Sequence, residues 1–227
     1  VTAPSGEWRD VESIDSTQRL AAELLRAGED VGVVLARAQT GGVGRFGRAW
    51  HSPPGTSLSL TLILRSYRDH PAPHYVGMAV ALAAASALHC QLAWPNDLVV
   101  GPKKLGGILT EIVDGVPLVG IGVNLDVEAF PPEIAHRATS LRLEQGGTHD
   151  PRTIAERIVA ALANLPEPDA WAPLAPIWSM FDHTPGKRYR LPSGEEAVAL
   201  GVGADGRLLC SVEGETQAVM VAEALFG

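Results

Sequence analysis

A helical period opens at Ser16, whose hydroxyl suits an N-cap. Thr17-Gln18-Arg19-Leu20-Ala21-Ala22-Glu23-Leu24-Leu25 follows, with Leu20, Leu24 and Leu25 on one face and Gly28 as the stop. The pattern then changes to a continuous apolar, β-branched run over residues 31–39, which predicts a buried strand. Residues 40–55 carry no period and are rich in Gly, Arg and Pro. At about 16 residues this loop exceeds an ordinary connection, so it is functional or mobile. Residues 57–65 alternate as a strand, and residues 74–89 are apolar nearly all round, predicting a buried helix. A short strand over 91–93 leads into Trp94-Pro95-Asn96-Asp97. Residues 105–113 and 117–125 read as two strands joined through Asp114-Gly115, a strong hairpin signal. Helices are predicted over 153–164 and 168–181, and short strands with glycine turns from 186 onward. The pattern therefore predicts an α+β body over residues 1–185 and a small all-β tail over 186–227, without internal repeats.

Composition narrows the class. The 227 residues are 46% hydrophobic and 19% charged, which excludes disorder and low-complexity scaffolds. The longest uncharged apolar stretch, residues 76–88, falls short of the ~20 residues of a membrane helix. Glu7, Arg9, Asp10 and Glu12 leave the beginning of the chain without a signal-peptide hydrophobic region. Cys90 and Cys210 form no CxxC and read as core thiols of a reducing cytoplasm. A net charge of -8 with no basic stripe argues against a nucleic-acid partner.

Gly42-Val43-Gly44-Arg45-Phe46-Gly47 matches GxGxxG literally. The dinucleotide fingerprint needs a helix to open there, and Ser52-Pro53-Pro54-Gly55 cannot supply one. A second literal match at Gly201 falls on a turn. The glycine loop still lets backbone N–H groups approach a ligand, and Arg45 and Arg48 can pair with phosphate or carboxylate. A solvated surface loop with two ordinary arginines is the competing reading. Lys104 precedes Gly106-Gly107 at the start of a strand and is either a ligand-facing cation or half of a solvent-facing pair with Lys103. Asn96 and Asp97 follow Trp94-Pro95 and could form a turn and nothing more. Gly120 and Gly122 alternate on one strand face, where a ligand or another backbone can pack. No P-loop, GxSxG elbow or HExxH is present in the sequence.

Taken in order, Ser16-Thr17, Gln39 with TGGVGRFGRAW, WPNDL, KKLGGIL and GIGVNL make the chain resemble the biotin protein ligase family over roughly residues 12–125. The resemblance implies a class II synthetase-like body, a central mixed or antiparallel sheet with flanking helices, and a small SH3-like C-terminal domain. It implies an ATP-dependent reaction that forms biotinyl-5′-AMP and then transfers biotin to a lysine of a biotin carboxyl carrier domain, with Mg2+ arriving on the nucleotide. Carried over residue by residue, Ser16, Thr17 and Gln39 would bind the ring end of biotin, with Gly42, Gly107, Gly120 and Gly122 lining the slot and Trp50 anchoring the far end of the loop. Arg45 and Lys104 would be catalytic, meeting the biotin carboxylate and the α-phosphate. Arg48, Asn96 and Asn124 would join them around the nucleotide.

Four positions depart from the family pattern: Gln18 for the usual Asn, Val43 and Phe46 for basic residues, and Gly106 for a common alanine, the last a change expected to be minor. The catalytic pattern starts within the first 16 residues, leaving no room for the helix-turn-helix of some relatives, so a ligase without DNA binding is expected. An edge strand of the body could pair two copies into a homodimer. A lipoate–protein ligase and a non-catalytic acyl-adenylate binding module are the alternatives.

Overall fold

A computed structural model describes residues 1–225. The chain runs β1 (Glu7–Ile14), α1 (Thr17–Arg26), β2 (Val31–Gln39), β3 (Ser57–Ile63), α2 (Pro73–Leu88), β4 (Gln91–Ala93), β5 (Asp97–Val100), β6 (Lys103–Val113), β7 (Val116–Asn124), α3 (Pro132–Ala135), α4 (Leu141–Gln145), α5 (Pro151–Leu162) and α6 (Ala175–Phe181), then β8 (Arg188–Arg190), β9 (Glu196–Val202), β10 (Leu208–Val212), β11 (Glu215–Val219) and β12 (Glu223–Leu225). Seven strands form one sheet in the order β1-β2-β3-β7-β6-β5-β4, and five form a second in the order β11-β10-β9-β8-β12. Only the β1–β2 pair is parallel among the described strands, joined through the α1 crossover.

Alternation along the strands decides what each sheet face does. Leu58, Leu60 and Leu62 of β3 and Val119, Ile121 and Val123 of β7 join the core formed with α5 and with α2, an almost wholly buried Ala-rich helix. Their neighbours Ile63, Val116 and Leu118 meet Ala21, Leu24 and Leu25 of α1 on the other face. Helix α1 covers only part of that second face. Beyond it the strands present mostly small and polar residues in two cross-strand rows, Ser59–Gly122–Gly107–Asp97 and Thr61–Gly120–Leu109. A sheet face on which most side chains are small is a floor on which something else can lie.

Ser16 caps α1 by accepting from the Arg19 N–H, and Gly28 follows at φ +72°. The β6–β7 turn holds Asp114 and Gly115 at φ +48° and +78°, the paired positive values of a tight hairpin turn. Helix α6 starts seven residues later than predicted, because Pro173 precedes it and Pro176 fits only its first turn. Strands β1 and β5 and the short helices α3 and α4 lie outside the predicted elements.

The two sheets share one core. Tyr189, Ala197, Ala199, Leu208 and Cys210 pack in the same cluster as α2. Trp94 ties them further: its indole N–H donates to the Gly206 carbonyl at 2.8 Å, and its own carbonyl accepts from the Tyr189 hydroxyl at 2.7 Å. No described helix is long and apolar enough to cross a membrane.

Candidate functional site

A cavity of about 260 Å³ lies on the glycine-rich floor, roofed by the N-terminus of α1, the 43–51 loop, the 130–138 segment and the start of β12. Of the residues singled out from sequence, Ser16, Thr17, Gln39, Arg45, Arg48, Trp50, Asn96, Lys104, Gly107, Gly120, Gly122 and Asn124 all line it. Gly42 is not among the lining residues. A Cβ there would sit 2.5 Å from Gln39 Nε2 and 3.3 Å from Trp50 Cβ, so Gly42 makes room for the residues that face the cavity.

Two of the floor glycines act in the same way. A Cβ on Gly122 would meet the Trp50 indole at 2.9 Å, one on Gly120 the Gln18 amide carbon at 3.1 Å, and one on Gly107 the Lys104 chain at 3.5 Å. At Gly122 and Gly120 the space that glycine opens is thus filled by a side chain that itself borders the cavity, whereas a Cβ on Gly107 would make only ordinary contact. Gly106 is not a minor replacement for alanine: a Cβ there would lie 2.5 Å from the Gly122 carbonyl oxygen, so the β6–β7 approach requires glycine.

Within loop 40–55, residues 42–50 fold back as a small antiparallel clasp. Gly44 N–H donates to Arg48 O at 2.8 Å and Trp50 N–H to Gly42 O at 2.9 Å, around a turn over Arg45–Gly47. Phe46 sits in the left-handed region at φ +59°, unusual for a bulky side chain. Its exposed ring lies under both guanidiniums, 4.9 Å from Arg45 and 5.9 Å from Arg48.

At the α1 end, Gln39 Oε1 accepts from Thr17 N–H at 2.9 Å and from the Thr17 hydroxyl at 3.1 Å, while Thr61 donates to that hydroxyl at 2.9 Å. Lys104 forms an ion pair with the buried carboxylate of Asp97. Arg45 donates to Asn96 Oδ1 at 3.1 Å, and Asn96 Nδ2 donates to the Ile108 carbonyl at 2.6 Å. Burial pulls the Arg45 guanidinium below its ordinary pKa and the nearby Arg48 adds to this, while Asp97, Tyr189 and Glu223 oppose it; a guanidinium stays charged regardless. Asn124 Nδ2 donates to Thr139 O at 2.9 Å and so holds the 130–139 segment against β7. Asn96 and Asn124 each donate an amide N–H to backbone.

Sequence reasoning missed several lining residues. Asp97 was visible beside Asn96, but only its register opposite Gly107 brings it to Lys104. Glu223 pairs with Arg48 across 175 residues, Arg137 arrives where Lys104 N–H donates to its carbonyl at 2.8 Å, and the Phe130 ring lies 6.4 Å from that of His51. No motif announces any of them. Four cations (Arg45, Arg48, Lys104, Arg137) and two acids (Asp97, Glu223) therefore border the cavity of a chain whose net charge is -8. Two of the four buried polar side-chain atoms left without a partner among the described residues, Gln18 Oε1 and Trp50 Nε1, belong to lining residues.

Comparisons with known proteins agree with this geometry. Residues 11–128 match the biotin/lipoate A/B protein ligase family. The chain is 34% identical to a biotin–[acetyl-CoA-carboxylase] ligase of Mycobacterium tuberculosis, covering 96% of this chain and 89% of that protein. It is 35% identical to a bifunctional ligase/repressor BirA of Bacillus spizizenii over 67% of this chain, and spans about half the length of that relative. A biotin protein ligase from Aquifex aeolicus, solved with biotin and ATP, superposes with a TM-score of 0.77 at 23% identity, covering 96% of this chain and 97% of that one. The glycine floor, the arginine clasp and the extent of the match together assign the chain to the biotin/lipoate A/B protein ligase family.

Proposed function

We propose that this chain is a biotin–protein ligase. One observation carries the reading: a single cavity over a glycine-rich strand floor gathers Arg45, Arg48, Lys104 and Arg137 together with Thr17, Gln18 and Gln39. The names of the relatives support it. In the first step an oxygen of the biotin carboxylate bonds to the α-phosphorus of ATP, the bond from that phosphorus to the bridging oxygen breaks, and pyrophosphate leaves. In the second, a lysine amine of a biotin carboxyl carrier domain attacks the acyl carbon, AMP leaves with the anhydride oxygen, and the nitrogen loses a proton.

Two anions must meet in the first step, so cations that neutralise the developing charge are the chain's main contribution. Arg45 and Lys104 are the catalytic pair in this reading. Asn96 fixes the Arg45 guanidinium and Asp97 the Lys104 ammonium, so both point into the cavity before substrate arrives. From Gly120 to Asn124 the floor spans about 14 Å. Ser16, Thr17, Gln39 and Gly120 take the ring, Gly107 and Gly122 the chain, and Arg48 and Asn124 the nucleotide. Among the described residues no group of three His, Cys, Asp or Glu side chains could hold a metal. Both cavity carboxylates are already paired, so the Mg2+ of this reaction would be held by the phosphates of ATP. The cytoplasmic location, the carrier-domain partner and the division near residue 185 belong to the same proposal.

The test is transfer. Incubated with biotin, Mg-ATP and a purified carrier domain, the chain adds one biotin to the carrier by intact mass. A carrier that stays unmodified, under conditions where a known ligase modifies it, contradicts the reading.

A further inference from the structure

Phe46 stands at the tip of the clasp, in a position that neither packing nor backbone geometry explains. Its ring is 60% exposed, so it fills no core, yet it borders the cavity. Its backbone holds φ +59° and ψ +25°, the left-handed region that glycine or asparagine occupies at less cost than a bulky side chain. A turn selected for its backbone alone would carry one of those residues.

What the ring does touch is charge. The guanidinium carbons of Arg45 and Arg48 lie 4.9 Å and 5.9 Å from its centroid, both within the reach of a cation–π contact. Each arginine has a second anchor, and the two anchors belong to different sheets. Arg45 donates to Asn96, in the turn that leads into β5, whereas Arg48 pairs with Glu223 on β12. Like charges also repel. Phe46 is a contact that both arginines share, and it joins them across the tip of the clasp.

We propose that Phe46 is a positioning residue of the anion-binding pair: its π face holds the Arg45 and Arg48 guanidiniums at one spacing before an anion arrives. A phosphate group then meets two placed cations instead of two mobile ones, and less ordering is left for binding to offset. The inference rests on the proposed function for the identity of the anion, the α-phosphate of ATP, and adds the residue that sets the arginine spacing. It also accounts for a departure from the family pattern. A basic residue at position 46 would add a third cation to the tip but could not hold the other two together.

The experiment compares wild type with Phe46→Leu, Phe46→Gly and Phe46→Trp, and repeats Phe46→Leu in an Arg48→Ala background. Two quantities are read: the KM for ATP in biotin-dependent pyrophosphate exchange, and the rate at which trypsin cleaves the ligand-free chain after Arg48. Phe46→Leu is expected to raise both about tenfold, and Phe46→Trp, which keeps a π face, to stay within about twofold of wild type. Phe46→Gly relieves the backbone but removes the ring, so its KM for ATP is expected to rise as far as that of Phe46→Leu. Wild-type KM in Phe46→Gly means that only the turn matters and overturns the proposal. With Arg48 already gone, the KM loss from Phe46→Leu is expected to shrink to about threefold; an undiminished loss there overturns it too. Melting curves verify that each variant folds. If the wild type shows no biotin-dependent exchange, the biotin reading fails, and trypsin alone decides the role of the ring: a Phe46→Leu cleavage rate equal to wild type overturns it.

Discussion

Asp97 makes the sharpest residue-scale claim. Its carboxylate holds the Lys104 ammonium over Gly107, so Asp97→Asn is expected to leave the fold intact and lower kcat for adenylate formation about tenfold; an unchanged kcat contradicts the positioning role. Arg45 acts more directly, with its side chain half-buried and tied to Asn96. Arg45→Gly is expected to release biotinyl-5′-AMP into solution, detectable in a filtrate that holds none with the wild type, and to slow adenylation on the order of a hundredfold. Retention of the adenylate as tight as wild type removes Arg45 from its assigned role. These residues were legible because the motifs that carry them are contiguous in sequence. Glu223, Arg137 and Phe130 were not, since each reaches the cavity through a tertiary pairing that no local pattern encodes.

Among the elements, the β6–β7 hairpin was readable because Asp114-Gly115 takes the two positive φ values that its strand twist demands. Strand β1 was not. It is an edge strand, half exposed, with Trp8, Arg9, Asp10, Val11 and Glu12 giving no clean alternation, and its parallel partner is reached only after α1. Loop 40–55 showed its length and glycines in the sequence, but its clasp depends on hydrogen bonds that composition does not reveal. Close approach of β6 to β7 can be tested at Gly106. Because the opposing atom is a backbone oxygen, Gly106→Ala is expected to cost about 1–3 kcal/mol, and to lower Tm by several degrees in a thermal melt. A Tm within a degree of wild type contradicts the packing argument.

On the scale of the whole molecule, the second sheet is bound to the first by a common core and by the Trp94 indole, and its last described strand brings Glu223 to Arg48. That shared core predicts a cooperative response that thiol chemistry can follow. Burial pushes the Cys90 thiol up to about 12 and raises Cys210 as well, so both remain protonated in the fold. Native protein at pH 8 is expected to resist thiol-directed alkylation at both positions, and both are expected to react together on unfolding. Because the unfolded thiols ionise near their ordinary pKa of about 8.5, stability falls as pH rises above that value. Rapid labelling of one cysteine in the native state contradicts a single core. The central claim, that one cavity joins a ureido-bearing acid to the α-phosphate of ATP, is tested most directly by magnesium-dependent ATP–pyrophosphate exchange with biotin, lipoate or no acid. Exchange with biotin alone is predicted. Exchange with lipoate in its place, or none with biotin, contradicts it.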